Sequence, residues 1–184
     1  MAYNTWFSQL QPSPDDAAVS YNTSVALTAV SPGAAANPQW CLGNSLKPGS
    51  IVHLEAWGTV STSGTTPTIL LGFYYGGTAG VILAATAAIT LTNQAGVAWP
   101  WRMKYTGRVT QCGTAGSITG SGEFHLSTAL ASPCTLRNIP ETTAAMTVAI
   151  DTTIPKAIVV GATWGTSAAT NILFCNGMLG GVVG

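Results

Sequence analysis

Residues 99–126 read WPWRMKYTGRVTQCGTAGSITGSGEFHL and contain two runs in which apolar and polar side chains alternate. In the first run the apolar residues are Trp101, Met103, Tyr105 and Val109, and the polar residues between them are Arg102, Lys104, Thr106 and Arg108. A period of two is typical of a strand that buries one face. The second run has the same period, and the turn residues QCGTAG separate the two. The sequence therefore predicts an antiparallel hairpin at the centre of the fold.

Short apolar runs divided by Gly, Pro, Ser and Asn continue on both sides of this hairpin. They predict strands at 20–30, 51–60, 68–75, 81–91, 144–151, 156–164 and 169–175, and a docked apolar tail at 177–184. This spacing, without an amphipathic helical pattern, predicts an all-β fold: a single antiparallel β-sandwich, jelly-roll-like, over residues 19–184. Residues 1–18, broken by Pro12 and Pro14, are predicted to be an extended N-terminal arm.

The chain of 184 residues is poor in charge, with 7% charged residues against about 25% in a typical soluble domain. Its net charge is zero, and it contains neither a basic run nor about 20 consecutive apolar residues. We therefore expect no nucleic-acid partner and no membrane span. Few charges protect a free monomer poorly against association, so we expect a homo-oligomer. The alternative is a soluble monomer with a neutral surface rich in Ser and Thr.

Four large side chains are candidate assembly contacts: Trp6, Phe7, Tyr74 and Tyr75. The first two lie in a polar context in the arm, where they anchor on a neighbouring subunit or cover the edge of the domain's own core. The last two end the run 68–75, which is apolar on both faces. Such a run is typical of a central strand, or of one whose outer face a partner covers. Residues 1–8 lack a basic start and an apolar core, so we expect synthesis in the cytoplasm without Sec export.

Two pairs of ionisable residues share strand faces, His53 with Glu55 and Glu123 with His125. If their strands were neighbours, the four side chains would suit a metal ion by ligand type. Cross-strand ion pairs with Arg102, Lys104 and Arg108 are the favoured explanation. We expect no metal site, because the spacing matches no specific pattern.

We expect no catalytic residues and no cofactor, so the chain is predicted not to be an enzyme. There is no Gly-x-Ser-x-Gly elbow, and six acidic residues are scattered along the chain. Asp151 is expected to bond turn amides, and the glycines of 113–122 and 161–165 to serve turns rather than phosphate binding. The four cysteines, Cys41, Cys112, Cys134 and Cys175, form no Cys-x-x-Cys pair. Free thiols are the default for a chain made in the cytoplasm, and disulfides are the alternative.

Aromatic side chains offer one further hypothesis, a platform on which sugar rings stack. Its candidates are Trp57, Trp99, Trp101, Trp164, Tyr74 and Tyr75. The alternative is that two or three of these tryptophans lie in the core, which is the commoner place for large aromatic residues.

Residues 149–153 (AIDTT), 156–167 (KAIVVGATWGTS) and 169–171 (ATN) carry a resemblance to a known class of proteins. They resemble the C-terminal part of small virion proteins of tailed bacteriophages, particularly those of actinobacterial hosts. In those proteins a similar VVGAxW strand is followed by a Ser/Ala turn and an Asn that opens the last strand. The sequences KPGS at 47–50 and 113–122 are also similar, and the likeness covers about residues 40–176.

This resemblance implies a trimeric jelly roll with a structural role in the virion. The expected function is a capsid decoration, or minor capsid, protein that binds the major capsid protein and stabilises the phage head. The alternative is a tail-fibre or appendage module that recognises a host carbohydrate. The resemblance brings no catalytic residue to any position of this chain.

Overall fold

The computed structural model describes residues 4–6, 28–29, 39–41, 43–62, 66–92, 97–127, 134–141, 146–166, 168 and 170–184, with the backbone alone for the first three ranges. In these residues the chain forms thirteen strands and no helix. The strands are β1 Asn4–Trp6, β2 Thr28–Ala29, β3 Gln39–Cys41, β4 Ile51–Ser61, β5 Thr68–Tyr75, β6 Val81–Ala85, β7 Ile89–Thr90, β8 Trp99–Gln111, β9 Gly116–Leu126, β10 Thr135–Ile139, β11 Thr147–Ile150, β12 Lys156–Trp164 and β13 Ile172–Val183.

The strands form two antiparallel sheets, which confirms the predicted β-sandwich. One sheet has seven strands in the order β1-β13-β4-β8-β9-β10, with β11 also paired to β9. The other has six strands in the order β2-β12-β5-β6, with β3 paired to β12 and β7 paired to β5. Because neighbouring strands often come from distant parts of the sequence, most of the fold depends on long-range contacts.

The hairpin predicted at the centre is confirmed as β8 and β9, which pair from Trp101 opposite Leu126 to Gln111 opposite Ser117. Strand β8 also pairs with β4 over ten residues, so it lies in the middle of the seven-stranded sheet. On the other side of β4, strand β13 pairs along its whole length, from Ile172 to Val183. The apolar tail is therefore docked as predicted, as the continuation of the last strand.

The core lies between the sheets and consists of the inward positions of both. Its largest fully buried side chains are Trp101, Trp164, Tyr105, Phe73 and Phe124. Gly107 and Gly120 face the phenol of Tyr105, whose oxygen lies 2.5 Å from where a Cβ would stand on either one. A side chain at these two positions would displace the ring, so the glycines of the hairpin make room for the core.

Several predicted boundaries differ in the structure. The predicted strand 169–175 and the tail form one strand, β13, and of the predicted strand 20–30 only Thr28–Ala29 lies in the described residues, as β2. The run 81–91 forms two short strands, β6 and β7, which both pair with β5 on either side of an irregular segment. The predicted strand 144–151 is shorter and is β11. The predicted arm contributes β1, which pairs with the end of β13, whereas residues 7–18 lie outside the described residues.

Candidate binding face of the seven-stranded sheet

The charged side chains predicted on the central hairpin lie together on the outer face of the seven-stranded sheet. Strand pairing aligns them in rows across β4, β8, β9 and β10. One row contains Trp57, Arg102, His125 and Leu136, and the next contains Glu55, Lys104, Glu123 and Asn138. The opposite side of the same strands is buried, because alternate residues point to the core.

Two ion pairs, one between the rows and one within the second row, confirm the predicted cross-strand pairing for Arg102 and Lys104. Arg102 binds the carboxylate of Glu55 through Nε, at 2.5 Å, and through Nη2. Nζ of Lys104 lies 3.7 Å from Oε1 of Glu123. Both pairs are partly exposed, so each is expected to contribute at most about 1 kcal/mol to folding.

The two His/Glu pairs do not meet, because β8 lies between β4 and β9 and places Arg102 and Lys104 between the acids. Nδ1 of His53 instead lies 3.1 Å from the hydroxyl of Thr106. Among the described residues, no three His, Cys, Asp or Glu side chains are arranged to hold a metal ion.

His125 lies beside Glu123, the acid of the Lys104–Glu123 ion pair, and borders a pocket. Its Nε2 lies 3.4 Å from Oε1 of Glu123 without forming a hydrogen bond. The pocket has a volume of about 140 Å³ and is lined by Pro100, Trp101, Arg102, His125, Ser127 and Cys134. Polar and ring-bearing side chains therefore line the pocket at this end of the face.

Trp57 is the exposed aromatic residue of the face, with 36% of its surface accessible. Strand pairing places it opposite Gly177 on β13, and a Cβ on that glycine would stand 2.3 Å from the indole. The indole therefore lies against the bare backbone of β13, close to the sheet, instead of projecting from it. Sequence reasoning missed Gly177, although a glycine inside a strand is itself a signal of close approach.

A second polar cluster joins the two sheets at their edge. Arg137 of β10 forms an ion pair with Glu141, whose Oε2 accepts a hydrogen bond of 2.8 Å from the backbone nitrogen of Ala87. The backbone nitrogen of Glu141 donates in turn to the carbonyl oxygen of Ala85 at the end of β6. Arg137 lies in register with the core residue Phe124, so this edge strand carries a charge on its inward side, a known protection against edge-to-edge association.

The four candidate assembly contacts lie in different settings. Trp6 is in β1, where its backbone pairs with Gly181, and Phe7 lies outside the described residues. Tyr74 and Tyr75 are only 3% and 4% exposed, and the hydroxyl of Tyr75 donates to the carbonyl of Asp151 at 2.8 Å. The contact role of all four stays a prediction, and the burial of the two tyrosines weighs against theirs.

The predicted sugar-stacking platform does not form as a whole. Trp101 and Trp164 are buried in the core, as the alternative had it, and Tyr74 and Tyr75 are buried as well. Only Trp57 of the six candidates combines an outward position on the sheet with substantial exposure, since Trp99 is half-buried.

Cys112, Cys134 and Cys175 are free thiols, and the side chain of Cys41 lies outside the described part of the chain. Burial raises the pKa of Cys175 to about 12, so this thiol stays protonated and unreactive at neutral pH. Cys134, by contrast, is exposed at the rim of the pocket.

Asp151 forms the predicted turn. Its Oδ1 accepts hydrogen bonds from the backbone nitrogen of Thr153 at 2.9 Å and from the Thr153 hydroxyl at 2.6 Å. These two bonds, with the charge of Lys156, lower the pKa of the carboxyl.

Among the described residues, no helix is long and apolar enough to cross a membrane. Comparison with known proteins found no matching family model, no similar curated protein and no similar solved structure.

Proposed function

We propose that this chain is a non-enzymatic structural protein of a phage virion, a decoration or minor capsid protein that attaches to the assembled head. The observation that carries the proposal is the order of strands in the two sheets. Jelly rolls, which build many viral capsid domains, consist of eight strands divided between two sheets by two Greek keys.

The jelly-roll order follows if β3, β7 and the insertion β9–β11 are set aside as additions. The remaining strands are then, in chain order, β1, β2, β4, β5, β6, β8, β12 and β13. Numbered one to eight, they give the sheets 1-8-3-6 and 2-7-4-5. This is the order that two nested Greek keys produce. Because a fold hosts many functions, the order supports a virion role by analogy only.

The distribution of charge supports a protein that works by being assembled. In the part of the chain that the structure describes, three ion pairs use six of the twelve charged side chains of the sequence. Several large apolar side chains are exposed as well: Val81, Ile82, Val97, Leu136, Met146 and Ile154. Burial of such groups against a capsid would contribute about 25 cal/mol for each Å² of apolar surface.

The mechanism that we propose is adhesive. Multiple copies, as homotrimers, bind across neighbouring subunits of the major capsid protein and stabilise the expanded shell by mass action. Trp6 and Phe7 are the proposed anchors of the N-terminal arm.

The test is to add purified protein to heads of the encoding phage that lack it, and to measure co-sedimentation and heat resistance. We expect saturable attachment and more heat-resistant heads, and weaker attachment for Trp6→Ala combined with Phe7→Ala. Val97→Ala is the control for loss of an exposed apolar group elsewhere. A chain that neither binds the heads nor forms oligomers at high concentration, as measured by light scattering, would contradict the proposal.

The second candidate function is a carbohydrate-binding module of a tail fibre or appendage. It is favoured by one observation, the exposed indole of Trp57 on the same outer sheet face as the Arg102–Glu55 ion pair. Electron microscopy of labelled particles distinguishes the two locations, because the decoration role requires label on the head.

A further inference from the structure

We propose that the outer face around Trp57 is a binding site for a neutral saccharide. In this site one sugar ring packs against the indole, and the sugar hydroxyls bond to the Glu55–Arg102 pair and to the pocket beside His125. The inference rests on the second candidate function, for which it supplies the ligand class and the contact residues. The saccharide site does not depend on where the chain is located on a particle, since this face is part of the folded domain.

The first step of the argument is the position of the indole. Gly177 leaves the backbone of β13 bare, so the ring of Trp57 rests against it and presents an exposed apolar surface beside the sheet. A sugar ring has an apolar face of C–H groups, and an aromatic side chain is the large, rigid, apolar partner that such a face requires. Replacement of Gly177 by any other residue would push the ring away from this position.

The second step is the set of polar atoms on the same face, across β4 from the ring. Strand pairing places Arg102 directly opposite Trp57, and the carboxylate of Glu55 holds its guanidinium. The guanidinium supplies donors and the carboxylate supplies acceptors, so together they match hydroxyl groups, which both donate and accept. Because the ion pair already fixes both side chains, a sugar would order few additional rotamers on binding.

The third step is the length of the site. His125 follows Arg102 in the same row on β9, so the path from the indole over β13 to His125 crosses three strand spacings, roughly 14 Å. The pocket lined by Pro100, His125 and Ser127 lies at the far end of this row. An oligosaccharide of several rings would therefore contact the indole with one ring and enter the pocket with a ring further along its chain.

The fourth step is the charge of the face, which selects a neutral ligand. Within the proposed site the two acids Glu55 and Glu123 balance Arg102 and Lys104, and each of these four charges is paired with an opposite one. An anionic or cationic ligand would have to disrupt one of these pairs. A dry protein interface is also unsuitable, because its core is depleted in charged residues and desolvation of both pairs would be costly. A sugar avoids that cost, since its hydroxyls replace the water molecules around the charges one by one.

The experiment probes the full chain with an array of neutral and acidic oligosaccharides, followed by calorimetry with a neutral oligosaccharide that binds. We expect binding to neutral members and at least about tenfold weaker binding by Trp57→Ala. Val183→Ala is the matched control, because Val183 is 37% exposed on the same face, at the far end of β13. We expect this control to bind as the wild type does.

Arg102→Met is the second variant, and thermal unfolding of all three proteins shows that they are folded. Weaker binding by both site variants, with an unchanged control, supports the site. The proposal is overturned if no neutral oligosaccharide binds, if only acidic ones bind, or if Trp57→Ala binds as tightly as the wild type. Attachment to heads is measured on separate material, so failure of the decoration role and failure of this site remain distinguishable.

Discussion

The outer faces of the two sheets differ in polarity, although in both sheets successive side chains of a strand point to opposite faces. On the seven-stranded sheet the outward residues include Glu55, Arg102, Lys104 and Glu123, which are partly exposed and joined in ion pairs. On the six-stranded sheet the outward residues include Tyr74 and Val159, which pair across β5 and β12 and are only 3% and 2% exposed. The outer face of the seven-stranded sheet is therefore polar, whereas the outer face of the six-stranded sheet is buried at Tyr74 and Val159 and exposed at its edge, where Ile82 pairs with Tyr74.

This difference separates two sources of stability. The inward residues of both sheets fill one common core, but Tyr74 and Val159 are not part of it. Burial alone raises the pKa of the Tyr74 hydroxyl. The outward positions Tyr74 and Val159 of the six-stranded sheet are thus buried outside the common core, whereas the outward charged positions of the seven-stranded sheet are partly exposed.

The strongest test of this comparison replaces one aromatic residue on each outer face. We expect Tyr74→Ala to lower the free energy of unfolding by about 3 kcal/mol, because the substitution leaves a cavity at a buried position. Trp57→Ala should cost about 1 kcal/mol or less, since its ring is partly exposed already. Urea unfolding followed by circular dichroism measures both values. Equal losses for the two variants would show that the outer faces do not differ in this way.

The pattern of the sequence was sufficient for the fold wherever one face of a strand is polar. The run from Trp101 to Val109 alternates strictly, and β8 forms with the predicted faces. The run 68–75 is apolar on both faces, and it left open whether a partner covers the outer one. In the structure Tyr74, on the outer side of this strand, is buried within a single chain. Its burial depends on tertiary contacts, which the periodicity of the sequence does not contain.

The candidate site was less predictable, because it depends on which strands are neighbours. The residues His53, Glu55, Glu123 and His125 were all identified, but their spacing could not show that β8 separates them. The position of the Trp57 indole depends on Gly177, which is 120 residues away in sequence and opposite it in β13. Pairing of this range is set by the whole sheet, so no local pattern contains it.

The polar cluster of Arg137 and Glu141, which joins the two sheets, provides the next test. Glu141→Ala removes the ion pair with Arg137 and leaves the backbone nitrogen of Ala87 without its acceptor. We expect a loss of about 1–3 kcal/mol in the free energy of unfolding, because an unsatisfied, partly buried donor is costly. The matched control is Glu123→Ala, which removes an acid from the exposed outer face. A loss no larger than that of the control would contradict a structural role for the link.

A double-mutant cycle on Lys104 and Glu123 measures how much the polar face itself contributes. With Lys104→Met and Glu123→Gln, we expect a coupling energy of about 0.2–1 kcal/mol, because both side chains are about 40% exposed and solvent screens them. The coupling should decrease further in high salt. A coupling well above this range would mean that the face is a stabilising element and not a surface kept for contacts.

The smallest effect is expected at Asp151, where the turn after β11 approaches β12. Its pKa is lowered in the folded state by the bonds from Thr153, so the folded chain favours the carboxylate. The corresponding stability is present above the ordinary carboxyl pKa of about 3.9 and is lost as the pH falls through the lower folded value. Asp151→Asn should therefore be less stable than the wild type at pH 7, and the difference should shrink as the pH falls below about 4. Urea midpoints of both proteins across this pH range measure the difference. Thr153→Ala should also lower the stability at pH 7, because it removes the hydroxyl that bonds to Asp151. If the difference between wild type and Asp151→Asn were constant with pH, the bonds from Thr153 would not favour the charged form.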